Sequence, residues 1–200
     1  MEINDTQAIV LRSFFPYKYK VVLFDKELGK LDAIALYKRN FNRLMQGALI
    51  VCHKEPFNGI YRLQTIDLKA MPAPWVCSDI LFLHHVLELG DLFLQTNNNA
   101  AAVFELFMFL YQEHDVAFES AFLKKIFLCR FFALVGIYPE EEQYDESFFN
   151  LILGPINTML DIQRDQYFLN QLIVWLQGCV ATHPHAYRLK TMNFLTKMDM

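Results

Sequence analysis

The 200-residue sequence predicts an α+β protein, a five-stranded β-barrel followed by an all-helical domain. Two observations predict it. Runs of β-branched, aromatic and aliphatic residues with period-two alternation occupy the first seventy positions. After a proline pair, apolar residues recur at helical spacing. With 54% hydrophobic and 15% aromatic residues the chain can fill genuine cores, and disorder is not expected.

Strands are expected over residues 8–14, 17–25, 31–38, 48–53 and 60–67. In the second, Tyr17, Tyr19, Val21 and Leu23 share one face, and Lys18, Lys20, Val22 and Phe24 the other. The fifth sets Tyr61, Leu63 and Thr65 opposite Arg62 and Gln64. Leu28-Gly29-Lys30 supplies the turn between strands two and three, and Phe57-Asn58-Gly59 the turn before strand five. Five strands within seventy residues suit a small barrel.

Met71-Pro72-Ala73-Pro74 ends this region, because each proline discourages a strand and restricts the residue before it. The expected domains are therefore residues 1–72 and 73–200. In the second, Ser78 is placed as the cap of a helix reaching residue 94, with further helices over 100–113 and 117–135. Gly136, backed by Pro139, stops the third. Shorter helical stretches over 147–153 and 156–162 are divided by Gly154-Pro155, and residues 166–180 and 186–196 complete the half.

The formal charge of -4 hides an asymmetry. Residues 1–70 hold 11 Lys and Arg against 7 Asp and Glu, net +4, whereas residues 71–200 hold 7 against 15, net -8. Salt screens exposed charges beyond roughly 8–10 Å, so a local basic field attracts polyanions whatever the total charge. The N-terminus lacks the basic flank and apolar run of a secretory signal, and the longest uncharged stretch, residues 166–187, is interrupted by Asn170, Gln171, Gln177, His183 and His185. A cytoplasmic protein without a membrane span is expected.

Nothing in the sequence assembles a catalytic or metal site. Phosphate-loop, dinucleotide and G-x-S-x-G motifs are missing, and Cys52, Cys77, Cys129 and Cys179 are never closer than 25 positions. Adjacent His84 and His85 point about 100° apart on a helix and cannot chelate one ion. The expectation is a non-enzyme with no cofactor and no metal.

The basic residues of the β half carry the chemistry instead. Lys38, Arg39 and Arg43 surround Phe41 after strand three, while Arg12, Lys18 and Lys20 lie on neighbouring strands with Tyr17, Tyr19 and Tyr37 nearby. Cations hold phosphates and rings stack on exposed bases, at roughly 1–3 kcal/mol per base, which is how barrels of the oligonucleotide-binding (OB) type take single strands. From the residues alone this pattern reads equally as such a face or as the ordinary charged rim of a barrel with buried tyrosines.

Thr6-Gln7-Ala8-Ile9-Val10-Leu11-Arg12-Ser13-Phe14, then a lysine-bearing strand ending Val22-Leu23-Phe24, then Leu28-Gly29-Lys30-Leu31, resembles the start of bacterial RecO recombination-mediator proteins. Lys38-Arg39-Asn40-Phe41-Asn42-Arg43-Leu44 stands where that family has a longer basic stretch. The segment from Phe127 through Arg130, Phe131 and Phe132 to Gly136-Ile137-Tyr138-Pro139 resembles its helix and Gly-aromatic-Pro turn. Many members carry a four-cysteine zinc module after that turn. Here the position holds the acidic residues 140–146 with no C-x-x-C, which makes the chain similar to a short, zinc-free member.

The resemblance implies an N-terminal OB barrel and a C-terminal helical domain in a protein that binds single- and double-stranded DNA and anneals complementary strands in recombinational repair. It implies RecR as partner, loading of RecA onto strands covered by single-stranded-DNA-binding protein (SSB), and contact with the acidic C-terminal tail of SSB. Arg12, Lys18, Lys20, Lys38, Arg39 and Arg43 are then the phosphate contacts, and Tyr19, Tyr37 or Phe41 the stacking platforms. For an acidic tail to dock on the helical half, a local cation must offset the negative charge, and Lys124, Lys125, Arg130, Arg188 and Lys190 are the candidates. The alternative is a protein-interaction adaptor that keeps the barrel but has little DNA affinity.

Overall fold

The computed structural model describes residues 5–15, 19–36, 42–112, 121–137, 146–154, 166–182 and 188. Its first element is a closed barrel of five strands: β1 (Thr6–Ser13), β2 (Lys20–Asp25), β3 (Gly29–Ala35), β4 (Leu49–Phe57) and β5 (Ile60–Ala70). They run around the barrel in the order β1-β2-β3-β5-β4, with β4 closing on β1. β3 and β5 pair in parallel, and the other pairs are antiparallel. This is an OB-type barrel: the strand count predicted a small barrel, and the family resemblance implied its OB type.

Inward-facing residues fill the barrel, among them Ala8, Val10, Val21, Leu23, Leu31, Ala33, Ala35, Ile50 and Leu63. The alanines of β3 suit the narrow bore of five strands. Asp25 also turns inward, and it is fully satisfied: Oδ2 accepts from Thr6 Oγ1 (2.6 Å) and from Lys54 Nζ, while Oδ1 accepts from the backbone N–H groups of Glu27 (3.0 Å) and Leu28 (2.9 Å). A buried charge persists only with such complete pairing. The same carboxylate shapes the β2–β3 turn, where Gly29 has φ +76° and packs so close to Asn98 that no side chain fits.

Two bulges depart from simple alternation. In β1, Val10 pairs with Leu23 but Arg12 pairs with Val22, so one extra residue, Leu11, enters the strand. Strict period two would send Arg12 into the bore behind Ala8 and Val10; the bulge turns it outward. In β5, Cys52 pairs with Ile66 and Lys54 with Leu63. The extra residue makes Leu63 and Ile66 both buried and leaves Thr65 exposed, rather than sharing the face of Tyr61 and Leu63.

The strands end at Ala70, at the proline-bearing segment, but the compact unit runs from Met1 to Glu113. The reason is that the barrel's outer wall is itself apolar. Helices α1 (Pro74–Cys77), α2 (Ile80–Phe93) and α3 (Ala101–Met108), with a 3-10 turn over Phe109–Tyr111, belong to this unit. Phe24, on the outside of β2, lies buried with its ring 5.3 Å from Phe104 and 5.5 Å from Phe107 of α3. Gly90 of α2 sits against Leu11, where an added methyl would come within 3.0 Å of its side chain. Tyr111 Oη donates to Gly47 O at 2.8 Å, and burial pushes its pKa up. The cap of α2 is Asp79, whose side chain accepts from Phe82 N at 3.0 Å; Ser78 instead donates to Trp75 O.

The second unit, His114–Met200, holds α4 (Ala121–Val135), α5 (Glu146–Leu153) and α6 (Gln166–Thr182). α4 packs against both others and is buried at Leu123, Ile126, Leu128 and Phe131, around much of its circumference. Phe148 of α5 meets Phe168 at 5.8 Å and Trp175 at 6.1 Å on α6. Gly136, φ +75°, ends α4 through two bonds, Gly136 N to Ala133 O (3.1 Å) and Ile137 N to Phe132 O (2.9 Å), a Schellman closure. The helices expected over 156–162 and 186–196 fall on residues outside those described, Arg188 excepted. Among the described residues no helix is long and apolar enough to cross a membrane.

Candidate nucleic-acid interface

The candidate face is the Lys20–Ile34 end of the outer wall of β2 and β3, beyond the part that α3 covers at Phe24, and it is flanked by the β4–β5 hairpin. OB barrels take oligonucleotides at these places. Cross-strand register assembles it: Lys20 pairs with Ile34, Ile34 with Arg62, and Arg62 with Glu55. Leu23, Ala33, Ala35 and Leu63 point into the bore, so the residues between them point out.

Arg12 and Lys20 come together at one end of this face, around a ring that the sequence had not singled out. Phe14 carries the Arg12 guanidinium 4.6 Å from its centroid and the Lys20 ammonium at 6.0 Å. Its backbone N–H donates to Lys20 O at 3.2 Å, and Tyr19 O accepts from Ala35 N at 3.0 Å, which ties the connection to β2 and β3. Tyr19 is 52% exposed and Phe15 47%.

Carboxylates offset much of the local charge. Lys20 Nζ lies 2.8 Å from Asp32 Oδ2, and Arg12 Nη1 3.2 Å from Asp91 Oδ2 of α2. Arg43 is placed elsewhere on the barrel: its guanidinium donates to Ile66 O and lies 3.1 Å from Asp67 Oδ1, on the second half of β5. Lys18, Tyr37, Lys38, Arg39 and Phe41 lie outside the described residues. Pairs as exposed as these are worth roughly 0–1 kcal/mol, so a phosphate can compete for the cation.

At the far end of the row, Arg62 sits 4.0 Å from the Phe57 ring. Sequence reasoning placed Arg62 on the polar side of its strand but did not join it to Lys20. The Asn58-Gly59 turn, with φ of 47° and 80°, was the available signal for the hairpin register. The parallel β3–β5 pairing that aligns the two cations has no local signal.

The candidate tail-binding cations of the helical unit differ in exposure. Lys125 is buried, Lys124 half-buried and Arg188 exposed. Arg130 donates to Gly154 O just beyond α5, and burial lowers its pKa. Lys190 lies outside the described residues. Among the described residues no group of three or more His, Cys, Asp or Glu side chains is arranged to hold a metal ion. No protein-family model and no curated protein matches the chain.

Proposed function

We propose that the chain binds single-stranded DNA across the Lys20–Ile34 end of the outer face of β2 and β3 and acts as a RecO-like annealing and mediator protein in recombinational repair. In this role it works with RecR to load RecA onto SSB-covered strands, by binding rather than by catalysis. The observation that carries the reading is the cluster of Arg12, Phe14 and Lys20 on the face where OB barrels take oligonucleotides. The family resemblance of the first strands supports it.

Phosphates exchange for Asp91 and Asp32 on Arg12 and Lys20, and bases stack on the exposed rings. Neutralising the backbones of two strands lowers their mutual repulsion, which is the physical basis of annealing. Fluorescence anisotropy with a labelled oligothymidine at two salt concentrations tests the reading. Binding should weaken with salt by roughly 0.7 in log-log slope for each phosphate neutralised. No binding at low salt, or binding indifferent to salt, would overturn it.

One observation favours a second reading, that of a protein-interaction adaptor. Arg12, Lys20 and Arg43 each already hold a carboxylate, which lowers the field available to a polyanion. The same salt titration separates the two, because the adaptor reading expects no oligonucleotide binding at low salt.

A further inference from the structure

We infer that Arg62, stacked on Phe57, is a second phosphate-binding point, and that Lys20 and Arg62 straddle Ile34 as the path of a single strand across β2, β3 and β5. This inference rests on the DNA-binding reading above and extends it to a part of the barrel that the basic N-terminal segments do not include.

The geometry comes from the hairpin and the parallel pair. Phe57 pairs with Ile60 beside the Asn58-Gly59 turn, and Glu55 with Arg62, which puts Phe57 and Arg62 on diagonal positions of the ladder. Leu63 is buried in the bore and Tyr61 packs against its core, so Arg62 between them faces outward. β5 then lies against β3 with Arg62 level with Ile34, and Ile34 level with Lys20. Adjacent strands are about 4.8 Å apart, so the backbones that carry the two cations stand roughly 10 Å from each other, with Ile34 between them.

The two ends of the row differ in electrostatics. Lys20 holds Asp32. The Arg62 guanidinium makes no hydrogen bond and no ion pair among the described residues: Glu55, its ladder neighbour, forms no ion pair with it, and its Nε is covered without a partner. The Phe57 ring, 4.0 Å away, is the contact that orients the guanidinium. A planar, stacked guanidinium with uncommitted donors matches a phosphate, and it meets the phosphate without first releasing a carboxylate. The half-buried Ile34 and the surface rings favour unstacked bases over duplex, because bases paired within a helix present no free face to them.

The test measures oligothymidine binding by anisotropy over a salt series for the full chain and three variants. Arg62→Ala should weaken binding about fivefold to tenfold at low salt. It should also reduce the log-log slope by about 0.7, one phosphate on a single strand. Lys69→Ala makes the same charge change at an exposed position of the same strand and should leave both quantities unchanged. Arg62→Lys should keep the slope and lose part of the affinity, because the charge stays and the stacked plane goes. Melting curves establish that each variant is folded, and Arg62→Gln replaces Arg62→Ala if that variant is not. If the unaltered chain binds and Arg62→Ala behaves like Lys69→Ala, the inference is overturned while the DNA-binding reading stands. If the unaltered chain does not bind, the reading itself falls and the inference with it.

Discussion

Arg12 Nη1 lies 3.2 Å from Asp91 Oδ2, joining a cation of β1 to the side of α2. The contact exists because the bulge at Leu11 turns Arg12 out of the bore and because α2 packs on the same wall. It holds the guanidinium beside Phe14 and at the same time offsets its charge. Lys20 and Asp32 repeat the arrangement at 2.8 Å.

Removing these carboxylates should strengthen DNA binding. Asp91→Asn and Asp32→Asn each free a cation from an exposed pair, so single-strand affinity should rise about twofold to fivefold at low salt, with the gain shrinking as salt rises. Anisotropy titration reads this directly. Unchanged or weaker binding would mean that the carboxylates position the cations rather than compete with phosphate.

Two glycines of the barrel turns should differ sharply on substitution. A Cβ on Gly29 would stand 1.8 Å from Asn98 O at φ +76°, whereas one on Gly59 meets nothing within 4 Å at φ +80°. Gly29→Ala should cost about 3 kcal/mol or more, since backbone must move as well as bear left-handed strain. Gly59→Ala should cost about 1 kcal/mol from strain alone. Urea denaturation of the two variants checks the contrast, and equal losses would refute the close approach at Asn98.

His85 should make the protein acid-sensitive. Burial lowers its pKa from 6.5 to about 4, and the nearby Glu88, which acts in the opposite direction, does not prevent this. Between those values the unfolded chain takes up a proton that the folded chain refuses, so stability is highest above pH 6.5 and falls as pH drops towards 4. The size of the shift corresponds to about 3 kcal/mol. In His85→Leu the stability curve should be flatter than in the parent by that order across this window. Parallel curves in the two proteins would rule out the histidine as the cause.

Thiol reactivity should single out one cysteine. Cys52, Cys129 and Cys179 are buried, and burial is the main reason the pKa of each is raised, to about 12 for Cys52. Cys77 is exposed. An aromatic disulfide reagent at pH 8 should therefore modify Cys77 quickly in the native protein and the other three only after unfolding. Rapid loss of two or more thiols under native conditions would contradict this packing.

The strands of the first seventy residues were legible in the sequence, because the alternation of Val21 and Leu23 with Lys20 and Val22, and the Asn58-Gly59 turn, are local signals that packing reinforced. The sequence by itself also located the stop of α4 at Gly136, where φ +75° requires little more than the residue present. Tertiary structure decided the rest. Whether Arg12 faces the bore or the surface depends on one inserted residue whose register is set by β2, and period-two counting cannot see it. That Phe24 belongs to a core outside the barrel follows from the docking of α3, although its alternation matches that of the exposed face. The alignment of Lys20 with Arg62 across Ile34 required the parallel pairing of β3 with β5, a contact between segments distant in sequence. Local propensity specifies turns and faces, but which faces meet depends on how the whole chain closes, and no single segment carries that information.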